Sequence, residues 1–262
     1  MIELNWGAVT DIGLVRRHNE DSLLAEPPVF AVADGMGGHA AGDVASAMTI
    51  DELRGLVGRE DLTRADVEAA VSAANSAVLA SSLTTRSMRG MGTTLVGMAL
   101  VVDDGCPRWL AFNVGDSRLY RFAEGKLSQV SHDHSEVQEL LDEGAISEEE
   151  ARVAANRNIV TKAIGTDGGA EADYFLLDAN SGERFLICSD GLTNELEDDA
   201  LAADLGAGGD ASATARLLAE HALQAGGRDN VTVVVVDVLS NDPPDRPDDD
   251  EGPQETEVAE VD

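Results

Sequence analysis

Lysine is nearly absent from this 262-residue sequence: Lys126 and Lys162 are the only two, and the rest of the 18 basic residues are arginine. Against them stand 50 acidic side chains, for a net charge of −32 at pH 7. Such a field repels nucleic acid and anionic bilayers, so neither is an expected partner. Cysteine is equally scarce. Cys106 and Cys188 are far apart and form no Cys-x-x-Cys pair, which excludes a disulfide scaffold and points to a reducing, cytoplasmic compartment. Cys188 follows the apolar run Phe185-Leu186-Ile187 and reads as a small buried hydrophobe. No apolar run approaches the roughly 20 residues of a membrane helix, and the longest, Val231 to Leu239, is broken by Asp237. Met1 to Asn5 is neither basic nor apolar, so no secretory signal is expected.

What remains is ordinary for one soluble domain, with 43% hydrophobic and 26% charged residues. The pattern predicts strands at Trp6 to Ile12, Ser22 to Ala25 and Val29 to Ala33, the last two joined by a Glu26-Pro27-Pro28 turn. Helical spacing follows at Ala41 to Leu56 and Arg64 to Leu83, where Val67, Val71, Ala74 and Val78 recur on one face. Strands are predicted again at Thr94 to Val102, Trp109 to Asn113, Ser117 to Phe122, Arg184 to Cys188 and Val231 to Val238, the last β-branched almost throughout. Glu136 to Leu141, Glu148 to Asn156 and Ala211 to Leu223 read as helices, with Asp210 placed to cap the third. Strands, a helix pair, strands, then helices again argue for an α+β fold with antiparallel sheets rather than for a parallel α/β alternation. Residues 1–240 form the expected domain. Residues 241–262 carry ten acids against one arginine with almost no apolar content, and read as a disordered acidic tail with a net charge of −9.

Five segments place an aspartate beside glycine or at a strand end. They are Arg16-Arg17-His18-Asn19-Glu20-Asp21, Asp34-Gly35-Met36-Gly37-Gly38, Gly115-Asp116-Ser117, Ser189-Asp190-Gly191 and Gly227-Arg228-Asp229-Asn230. In three of them an apolar strand runs straight into the aspartate. One Asp-Gly alone is a turn dipeptide. Several carboxylates at the rim of a core repel each other unless a cation lies between them. Ligands that are all oxygen favour hard ions such as Mg²⁺ or Mn²⁺, and glycine lets backbone approach the ion and offer its carbonyl. From the residues alone the expectation is a polynuclear metal site for phosphate chemistry.

The ordered set Arg16-x-x-Asn19-Glu20-Asp21-Ser22, Asp34-Gly35-Met36-Gly37-Gly38-His39, Gly90-Met91-Gly92-Thr93-Thr94, Gly115-Asp116-Ser117-Arg118, Ser189-Asp190-Gly191-Leu192 and Asp229-Asn230-Val231-Thr232 resembles the bacterial branch of the metal-dependent, type 2C protein phosphatases, over about residues 4–239. The resemblance implies a four-layer α-β-β-α sandwich of two antiparallel sheets flanked by helix pairs, with metals in a cleft at one end. It implies a serine/threonine phosphatase in which metal-activated water attacks the phosphate monoester directly. Carried over, Asp34 bridges two core ions of Mn²⁺ or Mg²⁺ and Gly35 lends its carbonyl. Asp190 and Asp229 bind the first ion and Glu20 serves the second, with Asp21 and Asn230 behind them. Asp116 and Asp190 match the position of a weaker third ion, and Arg16 matches the residue that grips the substrate phosphate. The implied partners are phosphoserine and phosphothreonine proteins, Ser/Thr kinases among them, acted on by a monomer.

Met36 stands where some members have a proton-donating histidine, which leaves the leaving-group acid unassigned; His39 is nearby. His132-Asp133-His134-Ser135 lacks the cysteines or third histidine of a zinc site, and by resemblance precedes a mobile flap over the cleft, about Gly144 to Asn158, expected to help choose substrates. Two other readings compete: a pseudophosphatase that only binds phosphoproteins, and an acidic cation-buffering domain. The first predicts degenerate metal aspartates and the second predicts scattered acids, whereas Asp34, Asp116, Asp190 and Asp229 are all present in ordered motifs. The tail could likewise solvate the chain or compete for Arg16.

Overall fold

The computed structural model describes residues 2–37, 41–167 and 171–241. His39 and the expected tail from residue 242 onward lie outside the described residues, while Asn241 closes the last strand. Strands β1 (Ile2–Asp11), β2 (Asp21–Glu26) and β3 (Val29–Met36) open the chain, followed by helices α1 (Gly42–Arg54) and α2 (Arg64–Thr84). Then come β4 (Gly92–Thr93), β5 (Leu95–Asp103), β6 (Cys106–Val114), β7 (Arg118–Ala123) and β8 (Lys126–Gln129), and the short helices α3 (Glu136–Asp142) and α4 (Glu148–Val153). The chain continues through β9 (Asp173–Asp178), β10 (Arg184–Cys188), α5 (Asp190–Thr193), α6 (Asp198–Leu205), α7 (Ala211–Ala225) and β11 (Val231–Asn241).

One sheet has the order β1-β11-β10-β7-β8 and the other β2-β3-β5-β6-β9, with β4 paired to β3; every pairing is antiparallel. Three apolar layers hold them together. The α1–α2 pair covers the second sheet through Ala45, Ile50, Leu53, Val67, Val71 and Val78. The α6–α7 pair covers the first sheet through Leu201, Leu205, Ala215, Leu218 and Ala222. Between the sheets lies a third cluster with Phe30, Trp109, Phe185, Val234 and Val236. The sandwich therefore has the expected four layers. Strand β11 shows how alternation builds them: Val231, Val233 and Val235 face the α7 side, while Val234, Val236 and Val238 face the inter-sheet core. Trp6, Phe30, Trp109 and Phe185 form a chain of edge-to-face ring contacts with centroids 6.0 to 6.2 Å apart across that core.

The helices begin where their caps are. Thr63 and Asp66 form a reciprocal capping box on α2, and Asp210 accepts from Ala213 N–H at 2.7 Å to cap α7 as expected. Five elements were not foreseen. β4 and α5 have two and four residues, β8 has four and β9 is a six-residue edge strand, all too short for a periodic signal, and α6 is an Asp-Ala stretch with weak amphipathicity. The strand expected from Thr94 begins one residue later, as β5, because Thr94 turns its hydroxyl and N–H to Asp34 and separates β5 from β4. The segment expected as a flap contains α4; at its start Gly144 and Ala145 N–H donate to Leu141 O and Leu140 O, and near its end Asn156 Nδ2 donates to Glu136 Oε2 at 3.1 Å.

Candidate active site

All the predicted carboxylates come from one end of the sandwich. Asp34 lies on β3 opposite Asp21 of β2, Asp116 follows β6, Asp190 follows β10, and Asp229 precedes β11. The antiparallel register puts these strand ends together because each apolar run ends at the same rim. Asp190 is within hydrogen-bonding reach of Asp34, and Asn194 donates to its other side at 2.9 Å. Asp34 is held by its backbone: its N–H donates to Thr94 Oγ1 at 3.0 Å, and its carbonyl accepts from Thr94 N–H at 2.9 Å and Thr93 Oγ1 at 2.8 Å.

Asn230 organises the loop that carries Arg16 and Glu20. Its side chain donates to Ile12 O at 2.9 Å and His18 O at 3.0 Å, and accepts from Glu20 N–H at 2.9 Å. This fixes both ends of the loop against the start of β11, so Arg16 reaches Asp229, Nη2 to Oδ2, at 2.6 Å. Arg17 makes no such contact and is exposed. Asp21 sits behind the others, buried, accepting from Ser189 Oγ at 2.8 Å and Thr232 Oγ1 at 2.7 Å. Its Oδ1 is buried without a partner.

Glycine at position 35 has a packing cause. A side chain there would meet Gly42 O at 2.1 Å and Glu20 O at 2.5 Å. Gly42, at the start of α1, is equally constrained: a Cβ there would lie 2.7 Å from Gly35 O and 3.0 Å from Glu20 Oε1. The Gly35 carbonyl and the Glu20 carboxylate thus face one small space that only the missing side chain leaves open. The glycine after Asp190 likewise makes room for protein, because a Cβ on Gly191 would sit 1.9 Å from Asn230 O.

Electrostatics mark the same spot. Burial, then the charges of Asp21, Asp190, Asp116 and Asp229, push Asp34 well above the usual carboxylate range. Burial and then Asp229 raise Asp190. Burial raises Asp21 to about 7 against the hydrogen bonds from Thr232 and Ser189, and burial followed by Asp190 raises Asp116 to about 7. The hydrogen bond to Asp229 raises Arg16. Carboxylates crowded this way are suited to positive charge between them, and their all-oxygen character fits hard divalent cations. Among the described residues no three His, Cys, Asp or Glu side chains already close around one point. The set offers carboxylate pairs beside the Gly35 carbonyl and leaves room for water, which fits an ion that keeps part of its hydration.

The sequence reading missed several supporting residues. Thr94, Asn194 and the Ser189–Thr232 hydroxyl pair lie inside or beside the quoted motifs, yet only the packed sheets reveal whom they bond. His132 bonds Asp142 at 2.8 Å. Cys188 is buried and free, and burial pushes its thiol up to about 12. Met36 closes β3, its backbone paired with Gly92.

A cleft of about 790 Å³ opens from Asp116 and Asp190. Val137, Leu141 and Ile146 from the α3–α4 segment line one wall, and Asp198 lies on another.

A family profile described as protein phosphatase 2C matches residues 17–223. The chain is 41% identical over 242 residues to the serine/threonine protein phosphatase PstP of Mycobacterium tuberculosis, covering 91% of this chain and 46% of that protein. It therefore spans about half the length of that relative. It is 35% identical over 240 residues to the serine/threonine phosphatase stp of Listeria monocytogenes, covering 87% of this chain and 93% of the relative. The crystal structure of M. tuberculosis PstP superposes with a TM-score of 0.85 at 39% identity, over 92% of this chain and all of that one. The PstP catalytic domain in complex with 2 manganese ions superposes with a TM-score of 0.82 at 38% identity, over 92% of this chain and 100% of that one. The chain belongs to the protein phosphatase 2C family.

Proposed function

We propose that this chain is a metal-dependent serine/threonine phosphoprotein phosphatase that hydrolyses phosphate monoesters by direct attack of water. The observation that carries this reading is the gathering of Glu20, Asp34, Asp190 and the Gly35 carbonyl at one rim, with Arg16 on the adjacent Asp229. In this reading Asp34, Asp190 and Asp229 hold the first core ion, and Glu20, Asp34 and the Gly35 carbonyl the second. Asp116 and Asp190 hold a weaker third. The manganese complex of the PstP catalytic domain supports Mn²⁺, and Mg²⁺ satisfies the same oxygen donors.

Divalent cations at such a site lower the pKa of water and neutralise a phosphate ester's charge. The protein's own contribution is orientation. Arg16 is half exposed at its side chain, so it can turn from Asp229 to a phosphate and offer two parallel N–H donors. Asn230 holds the loop that aims it, and the Ser189 and Thr232 hydroxyls keep Asp21 turned toward the carboxylate cluster. Met36 has no proton to give, so the proton for the departing serine or threonine oxygen comes from another group, and water is one donor that can supply it.

The cleft has the volume of a peptide-sized ligand rather than of phosphate alone. That supports phosphoserine and phosphothreonine proteins as substrates, in keeping with the serine/threonine phosphatase relatives PstP and stp, and Ser/Thr kinases are expected among them. Cytoplasmic location and a monomeric state complete the reading. The net charge of −32 disfavours nucleic acid and anionic membrane as partners. No helix among the described residues is long and apolar enough to cross a membrane.

The test is hydrolysis of a phosphothreonine peptide with Mn²⁺, Mg²⁺ or EDTA, beside Asp34→Asn and Asp190→Ala. Turnover that needs the cation and vanishes in both variants supports the reading. A folded protein that binds Mn²⁺ and never turns over rejects it in favour of a binding module.

A further inference from the structure

The His132-Asp133-His134-Ser135 segment lies between β8 and α3, and its second histidine is buried against the turn that carries Asp116. His134 is 6% exposed and meets Gly115 at two points. Gly115 N–H donates to His134 Nδ1 at 3.1 Å, and His134 N–H donates to Gly115 O at 2.9 Å. A donor on Nδ1 fixes the tautomer: the ring proton resides on Nε2 and points to Asp173 Oδ2 at 3.2 Å. Asn113 Nδ2 braces the same turn, bonding Gly115 O at 3.1 Å and His132 O at 2.7 Å.

Gly115 cannot settle elsewhere. Its φ is +106°, and a Cβ there would meet Thr94 Cγ2 at 2.6 Å. Thr94 is the residue that holds the Asp34 backbone. The Gly115 peptide is therefore confined between Thr94 and the His134 ring, and the next residue is Asp116. His134 also anchors the α3–α4 segment, because Thr161 N–H donates to His134 O at 2.8 Å and Ser135 caps α3.

We propose that His134 is the positioning residue for Asp116: its Nδ1 acceptor sets the Gly115–Asp116 turn and so aims the Asp116 carboxylate into the cleft beside Asp190. This rests on the reading of Asp116 as a cation ligand. A residue that orients a ligand in this way contributes about 10- to 100-fold to metal affinity without touching the ion.

The experiment is Mn²⁺ titration calorimetry on the full chain, with thermal melting as a folding control and Asp116→Ala as the reference. Asparagine places an oxygen acceptor near the Nδ1 position, whereas glutamine places its polar end near Nε2. His134→Asn is expected to bind Mn²⁺ within about twofold of the parent. His134→Gln and His134→Ala are expected to weaken the step that Asp116→Ala abolishes by at least about tenfold, leaving the tighter steps unchanged. If His134→Ala does not fold, the contrast between the Asn and Gln variants decides. Equal Mn²⁺ binding by Asn and Gln variants overturns the proposal, as does an Asp116→Ala protein that binds Mn²⁺ like the parent. Failure of the phosphatase reading registers separately, as a parent protein that binds Mn²⁺ but hydrolyses no phosphopeptide.

Discussion

Replacing Arg184 with methionine tests whether the fold's interior ion pair is held as tightly as its geometry implies. Arg184 opens β10 and faces Asp237 across the ladder, with Nε to Oδ1 at 2.6 Å and Nη2 to Oδ2 at 2.9 Å. Its remaining donors reach Leu205 O at 2.8 Å, Gly209 O at 2.8 Å and Thr214 Oγ1 at 3.2 Å. All five guanidinium N–H groups are thus used, and the two side chains are 14% and 15% exposed. At that depth the pair is poorly screened, so the surface value of at most about 1 kcal/mol does not apply. Breaking one partner strands a carboxylate and takes the guanidinium donor from three acceptors, of which Gly209 O keeps the Thr214 hydroxyl at 3.4 Å; this costs about 3–5 kcal/mol. For a chain of this size that lowers the melting temperature by roughly 6–20 °C. The double variant Arg184→Met with Asp237→Leu recovers part of the loss, because an apolar pair no longer buries a lone charge. Arg184 lies at the end of β10 away from Asp190, so Mn²⁺ affinity of the folded variant stays unchanged. Urea denaturation with both variants measures this. A loss below about 1 kcal/mol for Arg184→Met, or a double variant less stable than the single, refutes the reasoning.

Two further outcomes follow from the site. Asp21 and Asp116 rise from 3.8 to about 7 in the folded state, so folding takes up protons between those values and stability in EDTA falls as pH rises from about 4 to 7, on the order of a few kcal/mol; Asp21→Asn flattens that slope in pH-dependent denaturation, and a stability that climbs over the same window contradicts it. Gly35→Ala forces backbone apart where only 2.1 Å is available, which costs more than about 2 kcal/mol and weakens Mn²⁺ binding; a variant with the parent's melting temperature removes the packing argument.

How far the sequence led can be judged at individual residues. Apolar runs ending in Asp34, Asp116 and Asp190 announced a carboxylate rim, because strand burial and a polar terminus are both local properties. Antiparallel sheets with covering helices followed from the segregation of strands and helices, and the four-layer sandwich from the family resemblance. Partners across the sheets were not legible. Nothing local to Asn230 tells that one amide fixes Ile12, His18 and Glu20, more than 200 residues away in the chain. The glycines were expected to admit an ion, yet Gly35 and Gly191 make room for neighbouring backbone, a cause visible only when the chain is packed. His134 read as a failed zinc motif because its Nδ1 partner is a main-chain N–H, which leaves no mark on composition. Strands β8 and β9 stayed hidden because four and six residues at sheet edges carry too little periodicity.

The pairing of β1 with β11, from Ile2 against Asn241 to Asp11 against Val231, has a consequence for how the protein is made. Arg16 and Glu20 leave the ribosome some 200 residues ahead of Asp229 and Asn230, which hold their loop. A nascent chain can build the α1–α2 side of the sandwich while its carboxylate rim is still in pieces. The rim closes only when the last strand slots between β1 and β10, so translation itself withholds the site until the domain is complete.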